Sequence, residues 1–395
     1  MLSDKENKSV SSIVSSDSYA WKSQRAWVEI NLAALSDNIA QIRKLLEPQT
    51  QFMAVVKADA YGHGAVSVAQ TALKAGANWL GVATVPEGIQ LRKAGIKAPI
   101  LILGATYTPE QVEAIAQWEL EATLCDCKQA LIFSDILETI NFDSPLRVHL
   151  KLDTGMSRLG TFWQDCNEFV QLVKRLPYLS IKSVYSHLAT ADSPDKTTMD
   201  LQHQRFESAI AILKASGIEV PCFHLANSAA TLSDSSLHYD MVRVGLAIYG
   251  FYPSPHLRST IDLKPVLQVK ARVTHVKMIE KGAGVSYGHT FIAAKQMRLA
   301  VAGIGYADGI PRNLSNKMQV LIRGVKVPQI GTITMDQIML DISSLPDVQE
   351  GEIVTILGSE GKEHITAEDW ATQLNTISWE ILCSFKHRLP RVNII

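Results

Sequence analysis

Between residues 50 and 250 the chain alternates short apolar runs with amphipathic or polar stretches. Eight runs rich in Val, Ile, Leu or Ala recur: FMAVVKA (52–58), WLGVAT (79–84), PILILGA (99–105), LEATLC (120–125), LRVHLKLD (146–153), IKSVYSHL (181–188), CFHLA (222–226) and DMVRVG (240–245). The fourth and seventh carry the weakest strand signal. Between the first two runs, Ala65, Val68, Ala69 and Ala72 form the i, i+3, i+4, i+7 stripe of a helix lying on a sheet, and Gly76 closes it. PEGIQLRKAG repeats the plan, with Pro86 at a first helical position and Gly95 at the stop. Eight strands alternating with helices predict an α/β fold, a closed parallel (β/α)8 barrel of the TIM type over residues 25–262.

Beyond residue 262 the period changes. In LQVKARVT, Leu267, Val269, Ala271 and Val273 alternate with Gln268, Lys270, Arg272 and Thr274, the period of a half-buried antiparallel strand. MQVLIRGVKVPQIGTITMDQIMLDI and GEIVTILG continue in this manner with glycine turns between them. A smaller, mainly β domain is expected over 263–395, ending in helices: Thr366 and Asp369 fit a capping box, SWEILCSFK follows, and Pro390 stops it.

Composition narrows the class without naming it. The chain has 395 residues, 47% of them hydrophobic and 19% charged, with a net charge of −1. That balance offers neither a nucleic-acid nor a membrane surface, and no run reaches the length of a spanning helix. Residues 1–24, rich in Ser and Lys without an apolar core, read as a disordered tail rather than a secretory signal. Five scattered cysteines imply no disulfide framework, so a reducing, cytoplasmic setting is expected. The C-x-C at Cys125 and Cys127 lacks a second ligand pair, and no metal site is expected.

A barrel places its chemistry at the C-terminal ends of its strands. Lys57 ends the first run, Arg158 follows the fifth, His187 ends the sixth, Asn227 and Ser228 follow the seventh, and Arg243 ends the eighth. Alone, Lys57 is as well explained by a stem lying along apolar surface with its ammonium in water. Jointly these residues converge on one mouth. The last two loops, ANSAAT and RVGLAIYG, offer the Ser228 hydroxyl and the backbone at Gly245 to an anion, although N-S-A-A is equally an ordinary helix cap. A lysine beside a phosphate pocket points to a Schiff base with pyridoxal 5′-phosphate. Arg243 facing the pyridine nitrogen would keep that nitrogen unprotonated, because a guanidinium donates and does not accept.

AVVKADAYGHG (54–64), KLDTGMSRLG, YSHLATAD, HLANSAAT, MVRVGLAIYG, GVSYGHTF, GIGYADG and GTITMDQIMLDI together resemble the alanine racemase family, in order, over residues 26–392. The resemblance implies interconversion of L-alanine and D-alanine, supplying D-alanine for peptidoglycan, by a homodimer whose active sites are built from both subunits. It assigns Lys57 as Schiff-base lysine and one catalytic base, with Tyr287 of the neighbouring subunit as the second base on the opposite face. Racemisation needs both, since one group removes the α-proton and another returns a proton from the other side. Tyr61, Ser228, Gly245 and Leu246 match phosphate contacts, His187 a residue beside the ring, and Arg243 the partner of the pyridine nitrogen.

Arg158 and the Met335 N–H match substrate-carboxylate contacts. Lys151 matches a lysine often carbamylated in relatives, and Tyr306 an entrance residue forming a gate with Tyr287. Two departures stand out: Lys386 and His387 where some relatives carry a tyrosine, and Thr334 where a cysteine is common. The alternatives are a broad-specificity or serine racemase on the same scaffold and, more remotely, a non-catalytic pyridoxal phosphate-binding protein. The latter gives Tyr287 and the β domain no role. A related decarboxylase would want a protonated pyridine nitrogen, which Arg243 opposes.

Overall fold

The computed structural model describes residues 23–385 and 387–394; most of the expected tail, 1–22, and Lys386 lie outside the described residues. Strand β1 (Ala26–Asn31) comes first. The predicted runs then appear as β2 (Gln51–Val55), β3 (Trp79–Val82), β4 (Ile100–Ala105), β5 (Glu121–Leu124) and β6 (Leu146–Asp153). A two-residue β7 (Thr161–Phe162) pairs only with β6, and β8 (Leu179–Tyr185), β9 (Phe223–His224) and β10 (Met241–Val244) complete the set.

The eight strands are parallel in the order β10-β2-β3-β4-β5-β6-β8-β9. The remaining seam is bridged by hydrogen bonds from Asp240 N to Phe223 O (3.1 Å) and Arg243 N to Ala226 O (3.0 Å). Both strand faces are buried, which is why the runs read as continuous rather than alternating: Leu80, Val82, Ile100, Leu101 and Ile102 are all at 0% exposure. Helix Ala65–Lys74 buries Ala65, Val68, Ala69 and Ala72, the predicted stripe. The next helix spans Val85–Lys93 with Pro86 in its first turn.

The second sheet has the order β16-β15-β18-β11-β1-β20. Besides β1, its strands are β11 (Leu267–Ile279), β14 (Met297–Ala302), β15 (Gln319–Ile322), β16 (Val325–Pro328), β17 (Ile338–Asp341), β18 (Ile353–Glu360), β19 (Glu363–Ile365) and β20 (Arg391–Ile394). A hairpin of β12 (Gly284–Val285) and β13 (Phe291–Ile292) stands apart. Along β11, Leu267, Val269, Ala271 and Val273 are buried and their neighbours are not, as the period-two pattern predicts. Sequence patterning did not single out β1 or β20, which are short and sit near the ends of the chain.

The chain clusters into two compact units that do not follow a single cut at residue 262. Residues 29–268 associate with 366–385, whereas 269–365 associate with 387–392. The terminal helices Ala367–Leu374 and Ser378–Ser384 therefore belong with the barrel. The first has the predicted box: Thr366 Oγ1 accepts from Asp369 N, and Asp369 accepts from Thr366 N.

Candidate active site

Leaving β2, the backbone reverses hand. Ala58, Asp59 and Ala60 have φ/ψ near 54°/52°, 52°/45° and 54°/49°, and Tyr61 has φ 54°, a full left-handed turn of non-glycine residues. Such residues cost about 1–2 kcal/mol each, so the turn needs external restraint. Glu87 provides it: its carboxylate accepts from Ala58 N (2.7 Å), Ala83 N (2.7 Å) and Thr84 N (3.1 Å). Gly62 then passes so close to the terminal helix that a Cβ would lie 2.5 Å from Leu382 O. Lys57 is held at the start of this turn, half-buried. Burial lowers its pKa, as does the nearby Arg158 cation, against opposing contributions from Glu87 and Cys383.

Every barrel residue singled out from the sequence lines one cavity of about 480 Å³: Lys57, Tyr61, Lys151, Arg158, His187, Asn227, Ser228, Arg243, Gly245 and Leu246. Trp379, from the terminal helix, completes a wall. Tyr287, Tyr306 and Met335 lie in the β unit and are not among its lining. They are respectively 72%, 42% and 53% exposed. Lys57, Lys151, Arg158 and Arg243 face the cavity against one acidic lining residue, Asp192. A partly desolvated space of that sign favours an anion.

At one end, the Ser228 hydroxyl oxygen accepts from Gly245 N (3.0 Å) and Ala247 N (3.4 Å), leaving its proton to donate elsewhere. Tyr61 is so close that a Cβ on Gly245 would lie 2.7 Å from its hydroxyl, so any side chain there would have to displace the Tyr61 phenol. Burial raises the Tyr61 pKa, and its phenol stays protonated, a donor. Leu246 opens the 3-10 turn Leu246–Tyr249, where backbone N–H groups are unpaired by the turn itself. Asn227 caps helix Ser228–Ser233 by accepting from Ala230 N (3.1 Å); the ordinary cap and the site coexist.

At the other end, Arg243 is 4% exposed and has no ion pair among the described residues. The two N–H of its Nη2 are shared among three acceptors, Ser186 O (2.9 Å), Leu225 O (3.0 Å) and His187 Nδ1 (3.1 Å), and its Nη1 donates to His224 Nδ1 (2.9 Å). Burial pulls its pKa down to about 10, still a cation at neutrality. Burial, then the Arg243 charge, holds His187 and His224 well below the ordinary imidazole value. Both are neutral, with Nδ1 accepting. Tyr185 stacks on His224, ring centroids 4.6 Å apart and 3° from parallel, and Lys151 Nζ lies 4.2 Å over the same tyrosine. Burial, with Arg243 and Arg158 nearby, pushes Lys151 down to about 7.

Sequence reading missed Glu87, Tyr185, His224 and Trp379. For Tyr185 and His224 the signal was available: polar or aromatic residues inside runs buried on both faces must point into the barrel or against its helices. Trp379 carries no local signal, because only the chain crossing brings its helix to the barrel. Among the described residues no group of three or more His, Cys, Asp or Glu side chains could hold a metal ion.

The similarities to known proteins cover both parts of the chain. Residues 30–253 match the family model described as alanine racemase, N-terminal domain, and residues 266–393 match that of the C-terminal domain. A Nostoc alanine racemase is 73% identical over 379 residues, 96% of this chain and 98% of that one. A Synechocystis alanine racemase is 59% identical over 371 residues, 94% of this chain and 99% of that one. Among solved structures, the alanine racemase from Bacillus anthracis with bound L-Ala-P aligns at TM-score 0.88 and 35% identity, covering 94% of this chain and 95% of that one. The Streptomyces coelicolor enzyme aligns at 0.87 and 35%, covering 95% and 99%.

Proposed function

Because this chain belongs to the alanine racemase family, we propose that it interconverts L- and D-alanine using pyridoxal 5′-phosphate held in the barrel cavity. The observation that carries the reading is Lys57, its pKa lowered, in a cavity that also holds the Arg158 and Arg243 guanidinium groups. A dianionic phosphate and a substrate carboxylate are the charges such a cavity accommodates. The residues fit the cofactor: Tyr61, Ser228, Gly245 and Leu246 would hold the phosphate, and Arg243, both terminal nitrogens engaged, has Nε left for the pyridine nitrogen. When bound, pyridoxal phosphate condenses with an amine and spreads over its ring the electron pair left by α-proton removal.

The chain's own groups do the rest. Lys57, with its lowered pKa, would hold the cofactor aldehyde at rest and, once the substrate amine has taken its place, take or return a proton at its freed Nζ on one face. Arg158, which lines the cavity, would orient the substrate carboxylate, and the Met335 N–H, which does not line this chain's own cavity, would reach that carboxylate from a second copy. Neutral His187 lies against Arg243 and orders that end of the site. An exposed Tyr287 that does not line its own chain's cavity supports the view that a second copy supplies the opposite base, in a homodimer with Tyr306 at the shared entrance. Lys151, near neutrality in pKa, has the free amine that adds CO2 and releases a proton to become a carbamate, an anion suited to orienting Arg158. No helix among the described residues is long and apolar enough to cross a membrane. The proposed setting is the cytoplasm, with the D-alanine supplied to peptidoglycan.

The test is direct. Purified protein with pyridoxal phosphate should racemise L-alanine and D-alanine, and Lys57→Ala should abolish both directions. Equal activity in the variant, or none in the parent with either alanine enantiomer, overturns the reading.

A further inference from the structure

The Arg243 cation is buried without a touching carboxylate, yet a line of hydrogen bonds leads from it through the barrel to one. A guanidinium only donates, so His224 Nδ1 accepts from Arg243 Nη1 at 2.9 Å. Neutral His224 then carries its proton on Nε2 and donates it to Ser183 Oγ at 2.7 Å. The Ser183 hydroxyl proton goes on to His149 Nδ1 at 2.6 Å, and His149 Nε2–H donates to Glu121 Oε2 at 2.7 Å. His149, Ser183 and His224 are at 0% exposure and Glu121 at 2%. Five successive barrel strands, β5, β6, β8, β9 and β10, each contribute one member.

We propose that Glu121 is the remote counter-ion and positioning residue of Arg243, acting through the one-directional relay His149–Ser183–His224. Every link points from cation to anion, so the bond dipoles add and each hydrogen bond polarises the next. The relay fixes both histidine tautomers and the rotation of the guanidinium. It thereby holds Arg243 charged and aimed at the cavity; its role toward the pyridine nitrogen rests on the cofactor reading above. The plainer account of Glu121 is a pair with Arg147, whose Nη1 lies 3.4 Å from Oε1 but whose side chain is 59% exposed. Cutting the relay at Ser183 leaves that pair intact and separates the two accounts.

The experiment compares full-length Glu121→Gln, Ser183→Ala and the double variant, loaded with pyridoxal phosphate, with Glu121→Asp as the charge-retaining rescue. The relay predicts that each single change lowers kcat about tenfold with KM for alanine within about twofold, that the double loses no more than the worse single, and that the Asp variant recovers part of the loss. Imidazole 15N resonances, recorded without cofactor, should place the proton on Nε2 of both His149 and His224 in the parent and lose that pattern in Ser183→Ala. Multiplicative losses in the double variant, unchanged kcat in both singles, or either histidine protonated on Nδ1 in the parent overturns the proposal. A parent chain that takes up no pyridoxal phosphate would instead sink the cofactor reading, while the resonances still decide the relay.

Discussion

Three amines and guanidinia at the cavity differ in what burial does to them. Lys57 keeps some access to water and its pKa falls; Lys151 is enclosed and falls to about 7; Arg243 falls only to about 10. The first can exchange a proton, the second can react with CO2, and the third stays charged. Lys57→Ala should erase the visible absorbance of the cofactor-loaded protein in a spectrophotometric titration. For Lys151 the sign follows from linkage: the folded pKa lies below the unfolded 10.5, so the unfolded chain binds more protons between pH 7 and 10.5 and stability rises with pH there. In bicarbonate-free buffer, urea midpoints should climb across that window more steeply for the parent than for Lys151→Met, and bicarbonate should flatten the parent's slope. Identical slopes would mean that Lys151 is not held as a neutral amine. Lys57 and Arg243 were legible because strand ends of a barrel are privileged positions. Glu121, His149 and Ser183 were not, because each lies inside its run rather than at the C-terminal strand end, and their meaning lies in hydrogen bonds between strands far apart in sequence.

At the scale of elements, the left-handed turn after β2 is the unusual piece. Its conformation is set by Glu87 from the neighbouring helix, which gathers N–H groups from Ala58, Ala83 and Thr84. Glu87→Ala leaves those donors without their acceptor and should cost about 1–3 kcal/mol in urea unfolding. An unchanged midpoint would show that the turn holds itself. Gly245→Ala should weaken pyridoxal phosphate binding by tenfold or more, measured by equilibrium dialysis, because the new Cβ would sit 2.7 Å from the Tyr61 hydroxyl. The parallel strands were readable from apolar runs even where β9 is only two residues long, since the run CFHLA extends past the ladder. The left-handed turn was not readable: ADAY carries no glycine to announce positive φ, and the restraint comes from a residue 29 positions away.

For the whole molecule, the proposed second base belongs to another copy of the chain, which makes activity a property of pairs. Mixing inactive Lys57→Ala and Tyr287→Phe subunits should restore about a quarter of parental activity, since half the dimers are mixed and each holds one intact site. No recovery after demonstrated subunit exchange would mean that each site is built within one chain. The barrel unit is also discontinuous. Its first stretch ends at residue 268, and the helix bearing Trp379 and the Leu382 carbonyl against Gly62 arrives only after residues 269–365 have been made. On the ribosome, eight strands can therefore emerge and pair while the pocket still lacks a wall, and the turn carrying Lys57 still lacks the surface it rests on. A nascent barrel has Lys57 long before it has the enclosure that governs it, so on the proposed reading competence to handle an aldehyde safely would be the last property this chain acquires.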